Sequence, residues 1–141
     1  MEDRLVRIEK ALETNLKRVD LIEKYKTEIA SKEHEIEELS TQIAEFNKPD
    51  SKLNQLEKMR SEAEVAARGG IIQKGNPKLL LVWELEHKEE YEKEFMKRKE
   101  LLSFRSAQEH QVLEFKSRIG LLTYWVANFT DTSIGRSNNW N

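Results

Sequence analysis

The chain has 141 residues, with 24 Lys and Arg set against 26 Asp and Glu for a net charge of −2. Charged residues reach 35%, while glycine and proline number only 5 and 2. That balance describes long solvated helices better than a compact α/β enzyme, argues against a strongly basic nucleic-acid binder, and leaves no Cys for a disulfide framework, a thiolate metal site or a thiol nucleophile.

No apolar run approaches the roughly 20 residues needed to cross a bilayer. The start Met1-Glu2-Asp3-Arg4 does not read as a secretory leader. The expected setting is therefore reducing and cytoplasmic.

The first predicted element covers about residues 2–47, where neither Gly nor Pro occurs. Leu5, Ile8, Leu12, Val19, Ile22, Ile29, Ile36 and Ile43 recur at steps that are sums of 3 and 4, the spacing of a helical stripe. Leu16, Leu39 and Phe46 widen that stripe, which suggests a bundle face rather than a narrow two-stranded seam. Such a helix would be about 70 Å long.

Asn47 to Ser51 interrupts it. Pro49 removes a backbone donor and restricts Lys48, and Asp50 or Ser51 can cap a restart. A second helix is predicted over 51–68, through Leu53, Leu56, Met59 and Ala63. The break reads as a kink, or a very tight turn, within one arm.

Residues 69–76 form the main break. Gly69 is placed to end the second helix, and Asn76-Pro77 is a strong start signal for a third. That helix is predicted over 77–129, about 75–80 Å long, with Leu81, Leu85, Phe95, Leu102, Val112, Phe115, Ile119, Leu122, Val126 and Phe129 as its apolar positions. The tail 130–141 is polar and rich in Asn, Ser and Thr. The expected fold is all-α: one elongated domain over 1–129, with a kinked arm, a Gly-rich tip and a returning arm. Two such helices cannot cover their apolar stripes alone, so a second copy or another protein is expected to complete them.

Catalytic chemistry is poorly represented. His34, His87 and His110 each sit in a charged helical stretch. Glu84 and His87 stand one turn apart, as in di-iron bundle helices, but the second pair and two further Glu that such a site needs are not evident. A helical-bundle enzyme built there is the weakest of the options. No GxSxG, phosphate loop or dinucleotide fingerprint occurs. The expectation is no catalytic residue, no metal, no cofactor and no small-molecule substrate. Asn128-Phe129-Thr130 fits a glycosylation pattern, better explained as an ordinary helix end.

Charge distribution says more. Residues 1–50 carry a net −4 and residues 51–77 a net +2, and no acid occurs between Val65 and Trp83. Arg68, Lys74 and Lys78 lie in that stretch with Ile71-Ile72. A basic tip with exposed aliphatics suits an anionic membrane surface; a polar loop whose isoleucines pack back onto the helices is the competing reading. A second basic cluster is Lys93, Lys97, Arg98 and Lys99, with Arg105 beyond it; charge runs of this kind usually form a salt-bridged solvent face. Aromatics gather late in the chain, with Phe115, Tyr124, Trp125 and Phe129, which at helical spacing suits a core or a dimer seam. No basic residue is interleaved after Arg118 until Arg136, so a nucleic-acid stacking platform is not expected.

Two stretches carry a family resemblance. Leu16-Lys17-Arg18-Val19-Asp20-Leu21-Ile22-Glu23-Lys24-Tyr25, followed by charged residues to Leu39, is similar to the second helix of the BAR domain of sorting nexins. Phe95 to Phe104, then Tyr124-Trp125-Val126-Ala127-Asn128-Phe129, resembles their last helix, and Lys48-Pro49-Asp50 matches a break in that region. The first BAR helix and a phosphoinositide-binding PX module are not evident. The resemblance implies a crescent dimer whose concave face and tips bind curved, anionic endosomal membrane. Arg68, Lys74 and Lys78 would then be tip contacts, with Ile71 and Ile72 at the membrane. Lys93, Lys97, Arg98 and Lys99 would line the concave face.

The expected function is therefore a non-enzymatic, membrane-shaping helical module, a homo- or hetero-dimer on anionic lipid, peripheral on the endosome. Its oligomer interface is expected at Ile22, Ile29, Ile36, Ile43, Phe115, Trp125 and Phe129. The alternative is a coiled-coil scaffold or tether without a lipid role, favoured by the strict heptad run Ile22, Ile29, Ile36, Ile43.

Overall fold

The structure is a computed structural model that describes residues 2–129, with side chains from Asp3 onward. The expected polar tail and Thr130 lie outside the described residues. Three helices make up an all-α protein: α1 Glu2–Asn47, α2 Lys52–Arg68 and α3 Lys78–Ala127. No β-strand occurs among the described residues.

The breaks follow from local chemistry. α1 stops at Asn47, two residues before Pro49, and the Ser51 N–H donates to Lys48 O at 3.0 Å. Ser51 then serves both sides of the break. Its hydroxyl oxygen accepts from Asn54 N–H at 3.1 Å and its O–H donates to Phe46 O at 2.7 Å. A cap of this kind contributes about 1 kcal/mol. α2 ends where Gly69 takes φ 72° and its N–H returns to Val65 O at 3.0 Å. α3 starts where Asn76 Oδ1 accepts from Lys78 N–H at 3.1 Å.

Contacts divide the chain into two compact units, where the sequence suggests a single domain. The first comprises Met1–Glu35 and Gln108–Asn141. Here α1 and α3 run antiparallel: Arg18 lies over the Trp125 ring, Tyr25 meets Phe115, and Lys32 donates to Gln108 at 3.1 Å. The inward line on α1 is Ile8, Ala11, Asn15, Arg18, Ile22, Tyr25, Ile29 and Lys32, all buried or half-buried. Its steps alternate strictly between 3 and 4, which is the spacing of a two-stranded seam. Two polar atoms in it, Asn15 Oδ1 and Arg18 Nη1, are buried without a hydrogen-bond partner among the described residues.

The second unit is Ile36–Ala107. It holds the end of α1, all of α2 and the first half of α3. Its core is Ile43, Leu53, Leu56 and Trp83, with Leu53 at 0% exposure. Arg105 reaches Ser40 at 3.4 Å, Lys52 pairs with Glu90, Tyr91 donates to Glu57 at 3.1 Å, and the Arg60 guanidinium stands 5.6 Å from the Trp83 ring. The partner on α3 falls from 105 to 83 as the chain advances from 40 to 60. α2 thus continues along α3 in the direction set by α1, and the Pro49 break is a bend, not a reversal.

One expectation is corrected here. Leu5, Leu12 and Val19, expected on one stripe of α1 with Ile8 and Ile22, are exposed. On α3, Leu81, Leu85, Phe95 and Leu102 are exposed too, Leu85 at 79%, apolar surface that the paired helices leave uncovered. The line of α3 that faces inward in the second unit is Leu80, Trp83, His87, Tyr91, Glu94, Arg98, Leu101 and Arg105, each buried or half-buried. It is more polar than the line that faces out. Long stems of Arg and Glu cover apolar neighbours while their charged ends reach polar partners, so a polar line can occupy a seam. Leu39 and Phe46 belong to the inward line of α1 and do not widen it; Leu16 lies outside it, exposed.

Candidate functional site

The tip is built from the end of α2, residues 69–77 and the start of α3. Gly69 and Lys74 form an isolated antiparallel bridge, with Gly70 N–H donating to Gln73 O at 2.8 Å. Asn76 N–H donates to Ala66 O at 3.0 Å, which ties the loop back to α2. The left-handed Gly69 is required: a Cβ there would stand 2.6 Å from Gly75 Cα and 2.8 Å from Gln73 O.

This turn projects Ile71 and Ile72 from its apex. Both side chains are fully exposed, so they do not pack back onto the helices. Beside them lies an open groove of about 890 Å³, walled by Val65, Ala66, Ile71, Ile72 and Leu79, with Glu62 and Lys74 also on its lining. Arg68 ends α2, Lys74 sits in the bridge and Lys78 opens α3; all three are exposed. Fully exposed branched aliphatics together with three cations are brought onto one short connection.

The other basic cluster does not share one face. Lys97 pairs with Glu94 at 3.5 Å. Lys93 lies with Lys97 in a groove that also holds Lys52, Glu86, Glu89, Glu90 and Glu94. Glu90 there is held below the usual carboxylate range, first by its bond to Lys52 and to a smaller degree by Lys93. Arg98 is half-buried, 5.5 Å from the Phe95 ring centroid, and Lys99 is exposed one residue further on. Acids are interleaved with these cations, and the four diverge around the helix.

The residues expected to form an oligomer interface are already occupied within the chain. Ile29 and Ile43 are buried, and Ile22, Ile36, Phe115, Trp125 and Phe129 are half-buried. They lie along the intrachain seam lines instead of on a free face. The outward apolar lines of α1 and α3 repeat the same 3–4 spacing displaced by one position, a signal present in the sequence.

Glu84 is exposed, and His87, half-buried, has Nε2 3.6 Å from Glu86. Among the described residues no group of three His, Cys, Asp or Glu is arranged to hold a metal ion, and no helix is long and apolar enough to cross a membrane. The fold and the tip define a protein of paired helices with an apolar, cationic turn. No protein family, characterised protein or solved structure matches the chain.

Proposed function

We propose that this protein is a non-enzymatic helical module that works as a dimer and binds anionic membrane through its tip. The observation that carries this reading is the full exposure of Ile71 and Ile72 on a turn that also bears Arg68, Lys74 and Lys78. Two adjacent branched aliphatics held in water have no role in folding the loop, whose shape is fixed by Gly69 and backbone bonds. Burying them in the acyl boundary recovers the hydrophobic term, and each well-placed cation adds roughly 1 kcal/mol at an anionic surface. In this reading Lys93 and Lys97 help little, because Glu90 and Glu94 sit among them. An endosomal location is part of the same proposal and follows only from the BAR-like resemblance.

The test is sedimentation with vesicles of phosphatidylserine and phosphatidylcholine. Salt-sensitive binding is expected, lost when Lys74→Glu and Lys78→Glu are combined, and weakened by Ile71→Ser with Ile72→Ser. Equal pelleting with and without vesicles overturns it. That result leaves the second reading, a scaffold or tether without a lipid role, which the unbroken 3–4 spacing from Ile8 to Phe46 favours.

A further inference from the structure

The groove beside the tip is formed by the chain's own backbone bonds. Gly69 and Lys74 close the turn, and Asn76 N–H donates to Ala66 O at 3.0 Å, which fixes the start of α3 against the end of α2. A Cβ on Gly75 would strike the Ala67 carbonyl oxygen, so the turn lies directly on the last residues of α2. Val65 and Ala66 are thereby held as one wall, with Ile71, Ile72 and Leu79 around them. Val65 is 58% exposed and Leu79 43%, so these walls stand in water as the apex does.

Size narrows the occupant. The groove follows α2 from Ser61 to Gly69, about 12 Å. Its volume of about 890 Å³ falls in the range of small-molecule sites, roughly 300–1,000 Å³. The lining is 12 residues, where a stable protein interface takes roughly 20–30 on each side. A hydrocarbon chain covers walls of that extent; a folded partner needs more.

Charge sets the polar end. Lys74 is on the lining, in a stretch from Val65 to Trp83 that has no acid and also holds Arg68 and Lys78. The bordering acids are Glu62 and Glu64 on α2 and Glu84 on α3. Glu64 pairs with Arg60 at 3.2 Å, and Glu84 is not part of the lining. Glu62 does line the groove, about two turns of α2 before Gly69. Lys74 is bridged to Gly69 itself, so acid and cation stand at opposite ends. An apolar trough with its cation at one end and an acid at the other takes an amphiphile whose anionic head lies at the Lys74 end.

We propose that this groove binds one molecule of anionic phospholipid, with an acyl chain along Val65, Ala66 and Leu79 and the phosphate at Lys74. The site rests on the membrane reading and deepens it. The tip takes hold of an individual lipid as well as inserting Ile71 and Ile72, and Glu62 keeps the phosphate from the far end.

Calorimetric titration of the full chain with dihexanoylphosphatidylserine below its micelle concentration tests the site. Glycerophosphoserine, the same head without tails, separates chain binding from simple phosphate binding. Saturable binding of one lipid per chain is expected, with no saturable binding of the tailless head. Ala66→Trp, which fills the groove, should weaken lipid binding by roughly tenfold or more, as the loss of two buried methylenes would. Lys74→Gln should weaken it by about fivefold. Circular dichroism checks the fold of each variant, and Val65→Gln, a smaller change at the same wall, should act in the same direction as Ala66→Trp. No saturable binding, several lipids per chain, equal binding of the tailless head, or a titration that Ala66→Trp and Val65→Gln leave unchanged overturns the groove. Vesicle sedimentation of the unsubstituted protein decides the membrane reading separately. Vesicles bound without monomeric lipid bound overturn the groove alone; vesicles left unbound overturn the reading on which it rests.

Discussion

Tyr25 on α1 and Phe115 on α3 stack at 5.2 Å between ring centroids, inclined by 31°, and Arg118 lies over both rings. The same guanidinium donates to the Tyr25 hydroxyl at 3.2 Å and pairs with Glu114. The Tyr25 bond and the Glu114 carboxylate together hold Arg118 above its usual range. Aromatic contact, cation and ion pair converge on one crossing of α1 and α3, in the part of the seam where Ile22 and Ile29 flank the tyrosine.

This crossing should show measurable coupling. In a double-mutant cycle with Tyr25→Leu and Phe115→Leu, the interaction energy is expected at about 0.5–1.5 kcal/mol, the usual value for an aromatic pair beyond area burial. The readout is urea unfolding followed by circular dichroism. Strict additivity of the two changes would mean that the rings only fill space.

Two glycines should respond in opposite directions to the same substitution. Gly69 has φ 72° and no room for a Cβ against the Gly75 backbone, so Gly69→Ala should destabilise by more than about 1 kcal/mol. Gly120 lies within α3, and a Cβ there meets nothing within 4 Å. Gly120→Ala should therefore stabilise by about 0.5–1 kcal/mol through helix propensity. Thermal midpoints measure both, and a matching sign for the two would contradict the geometry of one of them.

Tyr91 gives the second unit an alkaline limit. Burial raises its pKa above the ordinary 10.0, and the hydrogen bond it donates to Glu57 adds to the rise. A group whose folded pKa is raised contributes stability that is fully present below its unfolded value and lost as pH climbs through the folded one. Denaturation midpoints should accordingly fall above pH 10, and Tyr91→Phe should flatten that fall. Parallel alkaline profiles for the two proteins would assign the loss to other groups.

Much of the architecture was legible in the residues, and the reason is local. Pro49 with Ser51, Gly69, and Asn76 with Pro77 each act within a few residues, so the helix ends lie within two positions of those expected. The exposed Ile71-Ile72 pair was legible only as one of two options, because a loop sequence does not say which way it folds. The inward face of α3 was not legible at all. Periodicity ranks faces by hydrophobicity, and Phe95 and Leu102 outrank Glu94 and Arg98. The seam nevertheless takes Glu94 and Arg98, which share a line with Tyr91 and Arg105; those two meet Glu57, Arg60 and Ser40, partners tens of residues away along the chain.

The polar members of the seam have a use that apolar ones would not. Lys32 meets Gln108 in one unit, and Arg105 meets Ser40 in the other. Slip α3 by one heptad in the first unit so that Leu101 takes the place of Gln108, and Lys32 loses its acceptor to a hydrocarbon side chain. An all-aliphatic zipper would accept such a slip at small cost, whereas a stranded ammonium against hydrocarbon would not. The Lys32 layer works like one cut of a key, disfavouring the alignment that sets its ammonium against Leu101.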